Sequence, residues 1–173
     1  MWREYFGNKA KIIGIDLNPK TKQFEKNGFK IFNGDQSNKN FWKKFFRTVG
    51  KVDIIIDDGG HTNIQQSLTT VYTVPHIKNG GMLLVEDTHS NYQKEFQNPS
   101  KYSFINFSKK IIDDVNYTYP GLGKFNYSLN NFIYSIQYFE SMVCFKIDKK
   151  KCTLNKRLDN NGKKIDIKDF RYH

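Results

Sequence analysis

The chain has 173 residues, and its 28 Lys and Arg against 17 Asp and Glu give a formal net charge of +11. This length fits one domain with a real hydrophobic core. No apolar run reaches the length needed to span a membrane, and the first residues lack the apolar core of a signal peptide. The two cysteines follow no disulfide pattern. We therefore expect a protein of a reducing compartment, the cytoplasm.

The positive charge suggests a nucleic-acid partner, but the kind of basic residue argues against one. Only four of the 28 basic residues are Arg, the residue that reads bases through its bidentate fork. Residues 146–173 hold ten basic and four acidic residues and so contribute +6 of the +11. A solvated tail is the usual interpretation of such a segment. We predict that nucleic acid is not the partner and that residues 148–173 form a basic, partly disordered tail.

Short apolar runs alternate with helical segments along most of the chain. Strands are predicted at 11–15, 29–32, 52–56 and 82–85, and helices at 1–6, 20–27, 38–49 and 63–76. A helix at 104–115 and an antiparallel hairpin at a sheet edge, 131–139 with 142–147, follow. The alternation predicts an α/β domain over residues 1–147 with a parallel, doubly wound sheet.

Each of the four predicted parallel strands is followed by an acid, namely Asp16, Asp35, Asp57 and Glu86. Ligands of such sheets bind at the carboxyl ends of the strands. An acid shortly after a strand of a nucleotide-binding fold commonly accepts hydrogen bonds from ribose hydroxyls. The four acids therefore predict one ligand-binding rim, suited to a ligand rich in hydroxyls and amines.

Residues 52–92 concentrate the acidic chemistry. Asp57-Asp58 and Glu86-Asp87 are carboxylate pairs at two strand ends, and Lys78 is the one base in the segment. Such a cluster repels itself unless a cation enters, and a hard divalent metal takes carboxylate oxygens. His61 is a candidate catalytic residue, with a capping or surface role as the alternative. His89 faces the acceptor, the metal or the solvent.

Several motifs together resemble those of class I S-adenosylmethionine-dependent methyltransferases. They are GIDLNP (14–19), GDQS (34–37), IIDDGGH (55–61), PHIKNGGMLLVEDTHSNY (75–92) and IQYFESMVCFKI (136–147). Within that class the chain most resembles the metal-dependent sugar O-methyltransferases of the macrolide type and related enzymes of surface-glycan gene clusters. The resemblance implies S-adenosylmethionine and Mg²⁺ as cofactors. It also implies a sugar hydroxyl, on a glycan precursor or a glycosylated small molecule, as the acceptor.

The resemblance also assigns roles to the strand-end residues. Asp16 would bind the ribose hydroxyls of the cofactor, Asp35 and Gln36 the adenine edge, and Asp57 the methionine side. The Mg²⁺ ligands would be Asp58, Glu86 and Asp87, with His61 as the general base near the acceptor hydroxyl.

The acceptor side is predicted from aromatic and imidazole residues. His89 and Tyr92 are candidates for binding the acceptor. Other tyrosines that could line a sugar pocket are Tyr102, Tyr117, Tyr119 and Tyr127. A homo-oligomer is also expected.

One feature departs from the methyltransferase pattern. The family's first strand, with its acid and Gly-rich turn, precedes a helix like MWREYF, and neither occurs upstream of it in this sequence. We expect a domain that lacks that strand and is N-terminally truncated. Two other functions stay open at this point. One is a domain that binds or modifies nucleic acid, and the other is an iron-dependent oxygenase in which His61, His89 and a carboxylate hold iron.

Overall fold

The computed structural model describes residues 1–96, 101–116 and 128–153. The α-helices are α1 (Trp2–Phe6), α2 (Lys39–Val49), α3 (Asn63–Thr73) and α4 (Phe104–Asn116). The strands are β1 (Ile13–Asp16), β2 (Lys30–Asn33), β3 (Val52–Asp57), β4 (Ile77–Val85), β5 (Ile133–Phe139) and β6 (Met142–Ile147). Short 3₁₀ helices occupy Pro19–Asn27, Val74–His76, Thr88–Tyr92, Lys94–Phe96 and Ser128–Asn131.

The strands form two sheets. β1 pairs in parallel with β2, and the second sheet has the order β3-β4-β6-β5. β3 and β4 are parallel, whereas β6 is antiparallel to both β4 and β5. The predicted α/β class and the C-terminal hairpin at the sheet edge are confirmed. The expected single sheet is interrupted, because no strand among the described residues lies between β1 and β3 to pair with both. The absence of a first strand from the domain stays a prediction.

Local signals explain most of the element ends. The Asn38 side chain accepts hydrogen bonds from the backbone of residues 40 and 41 and so begins α2, which ends at Gly50 with φ 74°. Thr62 and Gln65 form a reciprocal capping box at the start of α3. The predicted helix over 63–76 is α-helical only to Thr73, because Pro75 has no N–H to continue the ladder.

Two predicted elements differ in detail. The segment after Pro19 is a 3₁₀ helix that ends at Gly28 in the left-handed conformation. β4 begins at Ile77 rather than Met82, and its pairing with β3 shifts register near its start. Gly81 permits this early pairing, since a Cβ there would lie 2.2 Å from the carbonyl oxygen of Asp53.

Two hydrophobic clusters support the strands. The larger joins β4, β6 and α4 around side chains that are fully buried, including Leu83, Val85, Phe104 and Phe145. The smaller is aromatic and consists of Trp42, Phe45 and Phe46 of α2, with Ile13 and Ile15 of β1 packed against it. Val52 and Ile55 of β3 contact both clusters. Thus α2 and β3 connect the two sheets through side-chain packing rather than through backbone hydrogen bonds.

Within the described residues, none of the helices has both the length and the apolar character needed to cross a bilayer. Predictions for Tyr117, Tyr119 and Tyr127, and for most of the basic tail, fall outside the described residues.

The buried ring of Phe104 gives a test of the larger cluster. Its side chain is 0% exposed and contacts Phe145 edge to face. We expect Phe104→Ala to lower the free energy of unfolding by about 3–5 kcal/mol, because it removes buried area and leaves a cavity. Phe139→Ala is the matched control. That ring is 55% exposed, so its loss should cost about 0.5 kcal/mol. Urea unfolding measures both, and equal losses would contradict the assigned core.

Candidate functional site

The predicted strand-end acids lie along one rim. Within each parallel pair, β1 with β2 and β3 with β4, the carboxyl ends point the same way. The side chain of Gln36, just after β2, donates a hydrogen bond to Asp57 at the end of β3 over 2.9 Å. This contact places the carboxyl ends of the two sheets side by side. The rim predicted from the sequence is therefore present.

Three side chains of this rim converge as a potential metal site. One ligand atom from each of Asp58, His61 and Asp87 lies within 4.8 Å of the other two. His61 Nε2 is 3.4 Å from Asp87 Oδ2. Asp58 is exposed, and His61 and Asp87 are partly buried, so an ion can reach the site from solvent. We call Asp58, His61 and Asp87 the acidic cluster.

Glu86 lies beside the acidic cluster. Burial raises the pKa of Glu86, and the negative charges of Asp58 and Asp87 raise it further, whereas His61 lowers it. Among the described residues, no ion pair from Lys or Arg reaches Asp58, Glu86 or Asp87. Oxygen donors that repel one another and lack a cationic partner suit a hard divalent cation. The residues present therefore fit Mg²⁺, with Asp58 and Asp87 as the oxygen donors brought together and Glu86 adjacent to them.

Backbone strain marks two members of the acidic cluster. His61 has φ 56° and Asp87 has φ 51°, a left-handed conformation that non-glycine residues adopt uncommonly. Such conformations persist where surrounding contacts hold them, often at functional sites. Here the Ser90 hydroxyl donates to the carbonyl oxygen of His61 over 3.1 Å. The two left-handed residues turn their side chains toward the same point.

Asp57 is the buried member of the rim, with 8% of its surface exposed. Burial raises the pKa of Asp57, while hydrogen bonds from Gln36, Gly59 and Thr69 oppose the rise. In the described structure its Oδ2 has no hydrogen-bond partner. The predicted contact of Asp57 with the methionine side of a cofactor stays a prediction.

The two remaining strand-end acids, Asp16 and Asp35, accept hydrogen bonds within local turns. Asp16 ends β1, is exposed, and accepts a hydrogen bond of 2.7 Å from the backbone of Asn18. Asp35 accepts from the backbone and the hydroxyl of Ser37, each over 2.7 Å. Gln36 instead bonds to Asp57, Thr69 and the backbone of Gly60. Its side chain therefore joins protein groups, and its predicted contact with an adenine stays a prediction.

The candidate acceptor residues lie on the 3₁₀ helix Thr88–Tyr92. His89 Nδ1 contacts the hydroxyl of Ser141 in the β5–β6 turn and is 3.8 Å from Asp87 Oδ1. Tyr92 is 61% exposed. The hairpin turn thus reaches the rim, a contact that links residues 52 positions apart.

Two buried residues that were not predicted from the sequence, Gln66 and Asn91, support the rim from below. Gln66 donates to the carbonyl oxygen of Glu86 over 3.1 Å, and Asn91 donates to Gln66 over 2.9 Å. Asn91 also accepts from the backbone of Ile105 over 3.1 Å. Both amides are at most 1% exposed. The sequence did contain a signal for Gln66. This residue shares one face of α3 with Thr69, Thr70 and Thr73, and a buried helix face is usually apolar.

Curated relatives of the chain are named as O-methyltransferases. The chain is 29% identical over 120 residues to mycinamicin VI 2''-O-methyltransferase of Micromonospora griseorubida, covering 66% of this chain and 30% of the relative. It is 27% identical over 123 residues to L-olivosyl-oleandolide 3-O-methyltransferase of Streptomyces antibioticus, covering 68% and 31%. The chain thus spans about 30% of the length of the curated relatives it matches. No protein-family model matches it.

A solved structure shares the fold. It is the MycE methyltransferase from the mycinamycin biosynthetic pathway in complex with Mg, SAH and mycinamycin VI. The TM-score is 0.76 at 22% sequence identity, and the match covers 85% of this chain and 38% of that chain. This likeness confirms the α/β methyltransferase fold predicted from the sequence.

The buried carboxyl of Asp57 gives a test of the site's electrostatics. Because its folded-state pKa is raised, the folded state holds the proton more tightly, and ionisation costs stability as pH rises through that pKa. We expect Asp57→Asn to raise the free energy of unfolding at pH 7 by about 0.5–2 kcal/mol. The gain should shrink at acidic pH, where Asp57 is protonated.

The control for Asp57→Asn is Asp53→Asn in the same strand. Asp53 is exposed and its Oδ2 pairs with Lys78 at 3.0 Å, so the substitution should bring no gain. Urea unfolding across pH measures the difference between variant and wild type. A gain from Asp57→Asn that does not change with pH would contradict the assigned burial cost.

Proposed function

We propose that this chain carries the cofactor and metal sites of an S-adenosylmethionine-dependent O-methyltransferase. Its predicted resemblance to class I methyltransferases is confirmed by the relatives and by the shared fold. The proposed acceptor is a sugar hydroxyl on a glycan precursor or a glycosylated small molecule. The name of one relative, L-olivosyl-oleandolide 3-O-methyltransferase, supports the glycosylated small molecule. The cytoplasmic location and the homo-oligomer stay predictions.

The observation that carries this proposal is the acidic cluster at the carboxyl rim. Asp58, His61 and Asp87 arrive from two strand ends that are adjacent in the sheet. Two of the three have left-handed backbone conformations. Backbone strain of this kind clusters at functional sites, and repulsion between neighbouring carboxylates favours a bound cation. The cluster therefore supports an active site rather than a solvated strand end.

The cofactor would lie along the strand ends next to the acidic cluster. Asp16, exposed at the end of β1, would accept hydrogen bonds from ribose hydroxyls. Asp35, at the end of β2, is proposed for the adenine side, and Asp57 for the methionine side. S-adenosylmethionine supplies a methyl group on a sulfonium centre, which an aligned oxygen nucleophile can displace.

The metal would be held by Asp58 and Asp87, with Glu86 adjacent. When bound, Mg²⁺ would orient neighbouring acceptor hydroxyls and lower the pKa of one of them. A bound cation would also stabilise the carboxylates, because it would offset the repulsion that adds to burial in raising the pKa of Glu86.

His61 is proposed to take the proton from the acceptor hydroxyl. An imidazole accepts protons near neutral pH, and His61 lies in the acidic cluster with its Nε2 3.4 Å from Asp87 Oδ2. The carboxylate of Asp87 would orient the ring and stabilise its charged form. The Ser90 hydroxyl donates to the carbonyl oxygen of His61 and so helps to hold the backbone that carries the ring.

The geometry favours this chemistry over an iron-dependent oxygenase. That alternative needs two histidines and one carboxylate around the metal. In the described residues the convergent cluster contains one histidine, and the Nδ1 of His89 contacts the Ser141 hydroxyl instead. The rim is acidic, which also argues against a nucleic-acid-binding site there.

The function is tested by methyl transfer from labelled S-adenosylmethionine. A panel of glycosylated macrolides and sugar-nucleotide acceptors is compared with RNA and protein acceptors. Transfer to sugar hydroxyls supports the proposal, and transfer confined to RNA or protein overturns it.

Magnesium should stabilise the folded chain through Asp58. A ligand present at 100 times its Kd and bound only to the folded state adds about 2.7 kcal/mol. We expect MgCl₂ to raise the Tm of the wild type but not that of Asp58→Asn, and we expect chelator to abolish methyl transfer. Asp113→Asn, at an exposed position of α4, is the matched control and should keep the Mg²⁺ response. Full activity in chelator would exclude the metal role.

Replacing His61 should separate binding from chemistry. His61→Asn suits the test because Asn tolerates the positive φ of this position better than Ala does. We expect S-adenosylmethionine affinity to stay unchanged, measured by calorimetry, and kcat to fall by about 10²–10⁴, the usual effect of losing a general base. His89→Asn is the comparison variant. Near-normal turnover of His61→Asn would assign the proton transfer to another group.

A further inference from the structure

We propose that Gln36 is a positioning residue that fixes the turn carrying two members of the acidic cluster. Gln36 was predicted at the adenine edge of the cofactor, but its side chain bonds to the turn after β3. The inference rests on the proposed function, because its consequence is a change in the affinity for Mg²⁺.

The backbone at Gln36 is itself held in place. The indole N–H of Trp42 donates to the carbonyl oxygen of Gln36 over 2.8 Å, and Trp42 is only 3% exposed. The preceding residue, Asp35, accepts two hydrogen bonds from Ser37. The Gln36 side chain therefore extends from a fixed point in the aromatic cluster of α2.

The amide of Gln36 contacts the turn at two points. Its Nε2 donates to Asp57 Oδ1 over 2.9 Å and lies 3.2 Å from Thr69 Oγ1 of α3. Its Oε1 accepts from the backbone N–H of Gly60 over 3.1 Å. Asp57 immediately precedes Asp58, and Gly60 immediately precedes His61. One side chain therefore holds the turn next to each of these two members of the acidic cluster.

The packing of the turn is built around this amide. A Cβ added at Gly59 would lie 1.9 Å from Gln36 Oε1, although Gly59 does not have a positive φ. The absence of a side chain at Gly59 thus makes room for Gln36. His61, two residues later, is strained at φ 56°, so contacts that hold the turn also hold the direction of its imidazole.

The amide of Gln36 meets two opposite requirements. The group near Asp57 must donate to a carboxylate, and the group near Gly60 must accept from an N–H. A Glu at this position would accept from Gly60 but would place a second carboxylate against Asp57. An Ala would make neither bond. Both substitutions should loosen the turn and separate Asp58 from His61.

The test measures Mg²⁺ affinity by calorimetry and the exchange rate of the Gly60 amide by NMR. We expect Gln36→Ala and Gln36→Glu each to weaken Mg²⁺ binding by about 10- to 100-fold, the usual effect of losing a group that orients metal ligands. The Gly60 amide should exchange faster in both variants. The exchange rate of the backbone N–H of Gln66, which donates to the carbonyl oxygen of Thr62, should not change. Gln23→Ala, at an exposed position, is the matched control.

A second variant, Gly59→Ala, tests the contact between the turn and the Gln36 amide by changing the turn instead of Gln36. Gly59→Ala should displace the Gln36 amide and weaken Mg²⁺ binding to a similar degree. In the Gln36→Ala background the contact with the Gln36 amide is gone and Asp57 Oδ1, at 3.1 Å, is the nearest remaining atom, so Gly59→Ala should then have a smaller further effect. This non-additivity separates a direct contact from a general loss of stability.

The outcomes distinguish this inference from the proposed function. Equal Mg²⁺ affinity in wild type and Gln36→Ala overturns the positioning role and leaves the methyltransferase proposal intact. Faster Gly60 exchange with unchanged Mg²⁺ affinity assigns Gln36 a purely structural role and also overturns the inference. A wild type that binds no Mg²⁺ overturns the metal role together with the positioning role.

Discussion

The parallel pairing of β3 with β4 is the constraint on which the site depends. In this register Asp57 is opposite Val85, so the residues that follow both strands leave the sheet at the same level. The Glu86 N–H donates to the carbonyl oxygen of Asp57 over 2.9 Å, which extends the pairing to the carboxylates themselves. Parallel strands need burial on both faces. The hydrophobic cluster around Leu83 and Val85 thus fixes the spacing of charges that would otherwise separate.

The site at the rim lowers the stability of the fold, whereas the hydrophobic core beneath it raises that stability. Carboxylates repel one another, Asp57 is buried, and two cluster residues have strained backbones. Opposing these costs are apolar side chains in β4 and β6 that are fully buried and a pair of buried amides, Gln66 and Asn91, that bond beneath Glu86. Proteins commonly trade stability for function in this way. A bound cation would change the balance, because it stabilises only the folded arrangement of the oxygen donors.

The sequence and fold comparisons contribute different information. The solved methyltransferase shares the fold at 22% identity, and the fold alone does not assign an activity. The curated relatives share sequence over about 30% of their length. The site supplies what the fold cannot, because an oxygen-rich cluster and an imidazole lie next to the strand ends expected to bind a nucleoside. Gln36 connects those two regions through a single side chain.

The sequence by itself determined the elements and the rim. Alternating apolar runs, the Asn38 cap and the glycines at 28 and 50 act over a few residues, so local periodicity and capping were enough to predict strands, helices and the acids that follow them. Tertiary structure decided which of those groups meet. His61 joins Asp58 and Asp87 through a positive φ, and Gln36 reaches Asp57 across 21 positions. The tertiary structure also decided that β1 and β3 belong to separate sheets. Such contacts depend on packing between segments distant in sequence, which no local pattern records.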